Sequence, residues 1–156
     1  MSKAVLISIR PEWVKKILAG EKTIEVRKTR PKLETPFKCY IYCTNSGVAM
    51  GMWGKHGKVV AEFVCDTIFS IQIECNAPAA LGAGIEVPGT CLTDRKIMEY
   101  LGNGKRGFAW HISNLKIYDT PKPLSEFKGL RKTKFGYAPV EIKRPPQSWR
   151  YVEELK

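Results

Sequence analysis

The sequence has few of the residues from which metal centres and covalent active sites are built. It contains two histidines, His56 and His111, and five cysteines, none of them spaced as Cys-x-x-Cys. This spacing argues against a zinc site, and we predict no metal and no cofactor. No Ser-His-Asp or Cys-His arrangement that would activate a nucleophile is recognisable. An odd number of cysteines favours reduced, buried thiols over a disulfide framework.

Long hydrophobic runs are also missing. No apolar stretch approaches the roughly 20 residues that a membrane-spanning helix needs. The apolar run near the N-terminus is too short for a signal peptide. We therefore expect a cytoplasmic protein without a membrane partner. A chain of 156 residues, with 44% apolar and 26% charged residues, is typical of one soluble domain with a hydrophobic core.

Acidic residues are scarce relative to basic ones. There are 26 lysines and arginines against 15 acids, which gives a net charge of +11. The excess is +6 over residues 1–38, zero over 39–115 and +5 over 116–156. Two basic ends around a neutral middle favour a partner that is a polyanion, and nucleic acid is the leading candidate. The alternative is that the lysines only aid solubility.

Alternating and β-branched segments dominate the pattern, with two amphipathic helices between them. A bend is expected near Asp66 and Thr67, and a long loop over Asn76–Thr90. We predict a mainly β (α+β) fold, a small β-barrel flanked by two or three short helices. The predicted elements are a strand over Ala4–Ile9, a helix from Pro11 that ends at Gly20, strands over Phe37–Thr44, Lys58–Ile73 and Gly107–Tyr118, a short strand and turn within Gly47–Gly57, and a helix from Thr93 to Tyr100.

The segment after Pro121 is basic and contains several prolines. Leu124–Phe127 is a possible short helix. We expect the segment to be ordered in part, because Trp149, Tyr151 and Val152 need a surface on which to pack.

The most informative segment is Gly20-Glu21-Lys22-Thr23-Ile24-Glu25-Val26-Arg27. It follows the first strand and helix, and its glycine leads into an alternating stretch. On a strand, Ile24 and Val26 would point to one face, and Glu25 and Arg27 to the other. One face can bury in a core while the other presents an acid and a guanidinium to a cleft.

These residues resemble a known family. Leu6-Ile7-Ser8-Ile9-Arg10-Pro11, the helix end Ile17-Leu18-Ala19-Gly20, and the pattern Gly-x-Lys-x-x-Glu-x-Arg over 20–27 are similar to the ASCH (activating signal cointegrator homology) domain, a PUA-like β-barrel. Residues 107–112 resemble the strand that closes such domains, so the resemblance covers most of 3–118. It implies a PUA-like barrel domain over 1–120. Residues 121–156 are then a basic C-terminal extension packed on that domain.

The resemblance implies an RNA-binding protein whose motif lines a cleft beside the barrel. Some members are enzymes: certain compact bacterial ones hydrolyse the acetyl amide of N4-acetylcytidine, and ribonuclease activity also occurs. In the amidohydrolases the third residue after the lysine is a threonine nucleophile. Glu25 stands there in this chain, and Thr23 is the nearest hydroxyl.

The chemistry of the motif side chains suggests roles for each. Lys22 could bind a phosphate, or it could act as a general base and accept a proton if burial lowers its pKa. Glu25 suits an exocyclic amine of a cytosine-like base, or general acid–base work. Arg27 offers a fork of donors for phosphate or a base edge, or a structural pair with Glu25. We therefore take Lys22 and Glu25 as candidate catalytic residues, and all three as candidate nucleic-acid contacts.

Four residues outside the motif are further candidates for nucleic-acid contacts. Arg10 ends the first strand, Trp53 lies in a glycine-rich segment suited to base stacking, and Arg131 and Lys132 belong to the basic tail. Each has a structural alternative, such as a solvated charge or a ring that anchors a loop.

Other chemically interesting side chains remain open. Trp13 is expected in the core. Trp110 and His111 must point opposite ways on their strand, and a lone histidine is usually structural. Either Glu62 or Glu74 could complete the cleft, and the sequence does not choose between them.

Three functions remain open. The first is RNA binding, or binding of a (modified) nucleotide, with DNA also possible. The second is a small hydrolase that uses the same cleft on N4-acetylcytidine or RNA. The third is a protein-interaction adaptor that uses tail aromatics such as Tyr137 and Trp149.

Overall fold

Most of the described chain is β-strand, as predicted, with two α-helices between strands. The computed structural model describes residues 2–47, 51–72, 86–102 and 106–156. None of the described helices is long and apolar enough to cross a membrane. The elements are β1 (Lys3–Ile9), α1 (Pro11–Leu18), β2 (Ile24–Arg27), β3 (Phe37–Cys43), β4 (Lys58–Gln72), β5 (Glu86–Val87), β6 (Leu92–Thr93), α2 (Asp94–Leu101), β7 (Arg106–Lys122), a 3-10 turn (Leu124–Glu126), β8 (Lys128–Thr133), β9 (Gly136–Glu141) and β10 (Trp149–Glu153).

Eight of the strands form one sheet in the order β2-β7-β4-β3-β1-β10-β8-β9. The β1–β3 pair is parallel and the other pairs are antiparallel. Within the described residues the order is open, with β2 and β9 at its two ends. The mainly β fold with two helices is therefore confirmed, whereas closure into a barrel stays a prediction.

The core lies on both faces of the sheet, because the central strands are apolar on both sides. Along β3, Cys39 and Ile41 enter the larger core cluster, and Tyr40 and Tyr42 enter a smaller one. Such continuous apolar runs are expected of strands that are covered on two faces. The larger cluster lies beneath α1 and contains the fully buried Trp110.

Both helices form where the sequence predicts them. Pro11 occupies the first turn of α1, where a missing N–H costs nothing, and Val14 and Ile17 are buried. Gly20 follows the helix with φ +79°, a backbone conformation that glycine adopts without strain. Thr93 caps α2 by accepting a hydrogen bond from the Lys96 N–H.

The predicted bend in the long strand is a β-bulge. The register of β4 against β7 shifts between Cys65 and Ile68, so the strand continues through the bend. The loop expected over Asn76–Thr90 lies mostly outside the described residues. At the described end of this segment the predicted loop is wrong, because Glu86–Val87 forms β5 and pairs with β6.

The C-terminal segment is more ordered than the sequence suggested. It contributes three strands, and β10 lies between β1 and β8 in the sheet. Phe127 and Val152 are buried in the smaller core cluster. The possible helix over Leu124–Phe127 is a 3-10 turn. Prolines and lysines obscured the strand pattern here, since both are depleted in strands.

Candidate functional site

The alternation of β2 creates a small group of buried charges. Val26 packs with Ile97 and Leu101 of α2 on one face. On the other face Glu25 and Arg27 are 7% and 8% exposed, and Glu25 pairs in register with the buried Trp110. The side chains alternate between the two faces as predicted, but Glu25 and Arg27 are buried rather than presented to a cleft. We call Lys22, Glu25 and Arg27 the buried cluster.

Arg27 joins three parts of the chain. Its Nη2 donates to the Ser8 carbonyl of β1 at 2.7 Å, and its Nη1 donates to Ser148 Oγ at 3.2 Å. Its Nε lies 3.4 Å from Glu25 Oε1. Strands β2 and β1 stand four places apart in the sheet order, so the sheet must curl for one side chain to link them. The two terminal nitrogens of the guanidinium thus have protein partners, whereas its Nε has no hydrogen-bond partner within the described residues.

Glu25 keeps one oxygen unused. Its Oε1 faces Arg27, whereas its Oε2 is buried and has no hydrogen-bond partner within the described residues. A buried acceptor without a partner costs about 1–3 kcal/mol, so native proteins rarely leave one unsatisfied. Within the described residues, Arg27 Nε and the indole Nε1 of Trp110, which pairs in register with Glu25, are also buried without a hydrogen-bond partner. The cluster therefore has both donor and acceptor capacity to spare.

Lys22 is the most deeply buried charge of the cluster. It is 2% exposed, and its Nζ donates to the Thr90 carbonyl at 2.5 Å. The Nζ also lies 5.5 Å from the ring centroid of Trp13, which is partly buried against the core as expected. Burial lowers the pKa of Lys22, although the negative charge of Glu25 opposes that shift. Lys22 is therefore the cationic group of the cluster that most easily gives up its proton.

The turn between β5 and β6 holds the Lys22 acceptor in place. Thr90 Oγ1 donates to the Val87 carbonyl at 2.7 Å and accepts from the Leu92 N–H at 3.0 Å. The Gly89 carbonyl accepts from the N–H groups of Thr23 and Ile24. Gly89 has φ +81°, and a Cβ there would lie 2.8 Å from Thr23 Oγ1. This position therefore suits only glycine.

The other predicted contact residues lie apart from the buried cluster. Arg10 is exposed, and its carbonyl caps α1 by accepting from the Trp13 and Val14 N–H groups. Trp53 is 89% exposed on a turn, which suits stacking rather than a core role. Arg131 and Lys132 are exposed on β8, towards the other end of the sheet order.

Glu62 has structural partners away from the buried cluster. Its Oε2 pairs with Lys38 Nζ at 2.9 Å, and its Oε1 accepts from the Tyr118 hydroxyl at 3.1 Å. Burial favours a raised pKa for Glu62, but the hydrogen bonds from Lys38 and Tyr118 outweigh it and the pKa is lowered. Glu74, the other candidate acid, lies outside the described residues.

His111 belongs to the opposite face of β7 from Trp110, as predicted. Its Nδ1 lies 2.7 Å from Asp66 Oδ1 in a half-exposed pair. The hydrogen bond from His111 lowers the pKa of Asp66. In register His111 stands opposite Ile24, so it faces away from Glu25.

Three of the four described cysteines behave as apolar side chains, whereas Cys91 is partly exposed and its thiol donates to the Glu21 carbonyl. Cys39, Cys43 and Cys65 are buried, and burial raises the pKa of Cys43 to about 11 and of Cys65 to about 12. Their thiolate forms are therefore disfavoured at neutral pH. Within the described residues, no three His, Cys, Asp or Glu side chains are placed to hold a metal ion.

Sequence reasoning missed the partners of the cluster. Ser8, Thr90 and Ser148 surround it, and Trp149 packs edge-on against Trp110 with centroids 6.1 Å apart. No local signal links positions 8, 90 and 148, because only the strand order brings them together. Among the described residues, one surface concavity is lined by residues 30–35 and another by a set around Lys3 and Lys38, and the cluster lines neither of them.

Comparison with known proteins finds one family match over part of the chain and similar folds among solved structures. Residues 7–64 match the ASCH domain family. The fold is similar to the crystal structure of ASCH from Zymomonas mobilis, with 18% identity, a TM-score of 0.58, and coverage of 97% of this chain and 88% of that one. A tyrosine-to-phenylalanine variant of that protein gives 17% identity, a TM-score of 0.58, and coverage of 98% and 92%. No protein with curated annotation is significantly similar in sequence.

Proposed function

We propose that this chain binds RNA and that the buried cluster recognises a base or nucleotide. The proposal is supported by the match of residues 7–64 to the ASCH domain family. The observation that carries the proposal is the unpartnered Oε2 of Glu25, an acceptor enclosed beside a lysine and an arginine. RNA or a modified nucleotide is the preferred ligand, with DNA as a weaker candidate.

Each member of the cluster has a distinct role in this proposal. Glu25 Oε2 accepts a hydrogen bond from the exocyclic amine of a cytosine-like base. Lys22 provides a cation for a phosphate or a base carbonyl. Arg27 orients Glu25 and does not bind the ligand itself. Its contacts with Ser8 and Ser148 fix the position of β2, and its Nε faces the Glu25 carboxylate.

In this proposal the exposed basic residues supply the affinity for the sugar–phosphate backbone of the RNA. Arg10, Arg131 and Lys132 are solvent-exposed and bind phosphates, while the exposed Trp53 ring stacks on a base. The net charge of +11 supports a partner that is a polyanion. We also propose that residues 121–156 are an extension of the same domain, which is supported by the pairing of β10 with β1.

Glu25→Gln tests base recognition by the cluster. The substitution keeps the shape of the side chain but replaces one acceptor oxygen with an NH2 donor. We expect oligocytidine to bind about 5- to 150-fold more weakly, since one good base contact contributes about 1–3 kcal/mol. Oligouridine should change less, because it lacks the exocyclic amine. The measurement is calorimetric titration of both oligonucleotides.

Glu62→Gln is the matched control, since Glu62 also pairs with a cation but lies away from the cluster. Both oligonucleotides should bind this variant as they bind the wild type. Equal affinities of wild-type and Glu25→Gln protein for oligocytidine would remove Glu25 from recognition.

A small hydrolase is the second candidate function. The observation that favours it is the lowered pKa of Lys22, a buried lysine that feels the charge of Glu25, whose Oε2 has no hydrogen-bond partner within the described residues. In this version Lys22 and Glu25 activate water for attack on the acetyl amide of N4-acetylcytidine, or the cluster stabilises the charge of phosphodiester cleavage.

Incubation of N4-acetylcytidine, and separately of labelled RNA, with wild-type and Lys22→Ala protein tests this version. We expect product with the wild type and a loss of at least about 100-fold with the variant, which is the usual contribution of a general base. Equal product from both proteins would assign the activity to a contaminant or to another site.

A further inference from the structure

A second basic region lies on the hairpin of β8 and β9, residues 128–141, which we call the basic hairpin. Its first nine residues, Lys-Gly-Leu-Arg-Lys-Thr-Lys-Phe-Gly, carry four basic side chains and no acid. All four cations are exposed, and Phe135 at the tip is 90% exposed. Phe135 is the one large apolar side chain that this fully described hairpin leaves exposed.

The turn that carries Phe135 is fixed by its own hydrogen bonds. Thr133 Oγ1 donates to the Gly136 carbonyl at 2.8 Å and accepts from the Phe135 N–H at 3.2 Å. Gly136 has φ +109°, which suits glycine in a tight turn. At the base of the hairpin, Leu130 is buried. The Phe135 ring is therefore exposed to solvent on a turn that hydrogen bonds keep in one conformation. The Lys134 Nζ lies 5.2 Å from the centroid of this ring.

The basic hairpin lies far from β2 in the sheet order, but the direction of β8 carries its tip towards the strand ends at which the buried cluster lies. Gly129 of β8 pairs antiparallel with Val152 of β10. As β8 advances from Gly129 to its tip, β10 runs back towards its first residue, Trp149, and Ser148 directly precedes it. Ser148 Oγ is one of the two groups that accept a hydrogen bond from Arg27.

A row of aromatic rings joins the two regions. Trp110, which pairs with Glu25, meets Trp149 at a centroid distance of 6.1 Å. Trp149 meets Tyr151 at 5.4 Å, and Tyr151 meets Tyr137 of β9 at 6.2 Å. Three ring-to-ring steps thus separate the cluster from the start of β9, a span that a few nucleotides can cover.

We propose that the tip of the basic hairpin is a second contact for single-stranded RNA, in which Phe135 stacks on a base and Lys132 and Lys134 bind the flanking phosphates. The inference rests on the proposed function, since the same strand inserts another nucleotide into the buried cluster. An aromatic face combined with a basic track is the usual way to bind single strands without sequence preference. A membrane surface fits less well, because binding there requires a continuous apolar face.

Length dependence of RNA affinity tests the proposal. The probes are a dinucleotide and a single strand of about eight nucleotides, within the roughly 4 to 16 that comparable grooves cover. For wild-type protein we expect the longer strand to bind much more tightly. Phe135→Ala should weaken the longer strand about 5- to 150-fold, as loss of one base–aromatic stack does, and leave the dinucleotide unchanged.

Two substitutions at the same position separate stacking from mere hydrophobicity. Phe135→Trp should bind the longer strand at least as tightly as the wild type, whereas Phe135→Leu should bind as weakly as Phe135→Ala. Phe69→Ala is the matched control, because Phe69 is 54% exposed on β4 outside the hairpin. Wild-type affinity in Phe135→Leu would overturn the stacking role. Phe135-dependent binding to anionic phospholipid vesicles, without RNA binding, would overturn the choice of partner.

The outcomes distinguish this inference from the proposed function. If Glu25→Gln weakens the dinucleotide while Phe135→Ala leaves the longer strand unaffected, the hairpin contact is wrong and the cluster stands. If Phe135→Ala lowers the affinity for the longer strand while Glu25→Gln leaves all affinities unchanged, the hairpin contact is supported and recognition by the buried cluster is wrong. Absence of RNA binding by the wild type would overturn both.

Discussion

Two regions of this protein carry similar basic side chains in opposite environments. In the buried cluster, Lys22 and Arg27 are almost fully enclosed and bonded to backbone carbonyls. On the basic hairpin, Arg131 and Lys132 stand in solvent. Removing the partner of a buried charge costs several kcal/mol, so such a side chain keeps a fixed position. An exposed charge has no comparable cost and can change its conformation to contact a ligand. The net charge alone therefore does not show which cations select a ligand and which only attract it.

The largest difference between the regions should appear when an arginine is removed. Arg27→Ala leaves Glu25 buried without its cation, and we expect a loss of about 3–5 kcal/mol in the free energy of unfolding. Arg131→Ala should change that free energy by less than about 0.5 kcal/mol, because its site is exposed. Urea denaturation of both variants measures the contrast. Equal stabilities would show that Arg27 is not a structural link.

The glycine that precedes Thr90, the hydrogen-bond acceptor of Lys22, gives the next largest contrast. Gly89 and Gly54 both have positive φ, but an added Cβ would lie 2.8 Å from Thr23 Oγ1 at Gly89 and would meet nothing within 4 Å at Gly54. Gly54→Ala should cost about 1–2 kcal/mol from the left-handed backbone alone. Gly89→Ala should cost about 1–3 kcal/mol more, because the added methyl group displaces Thr23. Thermal unfolding of the two variants supplies the comparison, and similar losses would contradict close docking of the β5–β6 turn.

Titration separates a buried lysine from a solvated one. The pKa of Lys22 is lowered from 10.5 in the folded protein, so the native state binds fewer protons than the unfolded state between that lowered pKa and 10.5. The unfolding free energy should therefore rise with pH across this window. Lys22→Met should lack this contribution. The measurement is the difference between the stability curves of wild type and Lys22→Met as pH increases, and parallel curves would show that Lys22 is not desolvated.

The smallest expected effect concerns the exposed cations. Lys132→Ala should leave stability within about 0.5 kcal/mol. It should nevertheless reduce the slope of log affinity for RNA against log salt by about 1, as loss of one phosphate contact does. Lys116→Ala, an exposed lysine on β7, is the control and should leave the slope unchanged. An unaltered slope in Lys132→Ala would remove Lys132 from the RNA interface.

Local patterns were sufficient to predict the elements that carry the buried cluster. The stripe of Val14 and Ile17 predicts α1, Thr93 predicts the start of α2, and the alternation after Gly20 places Glu25 and Arg27 on one face. These features depend on neighbours a few residues apart, so a sequence displays them directly.

The partners of the cluster depend on long-range pairing instead. Ser148 reaches Arg27 because β10 pairs with β1, and the Thr90 carbonyl reaches Lys22 because the β5–β6 turn docks on the segment before β2. Neither contact has a sequence signal. The strands of the C-terminal segment were missed for a related reason, because the partners beside them, rather than their own propensities, determine that they form.

The most direct test of RNA recognition by the buried cluster is an equilibrium titration of single-stranded RNA, duplex RNA and single-stranded DNA at two salt concentrations. It compares wild type with Glu25→Gln and Glu62→Gln. We predict salt-sensitive binding of single-stranded RNA that weakens in Glu25→Gln and persists in Glu62→Gln. Absence of binding to any of the polymers, or equal affinity in all three proteins, would contradict the proposal.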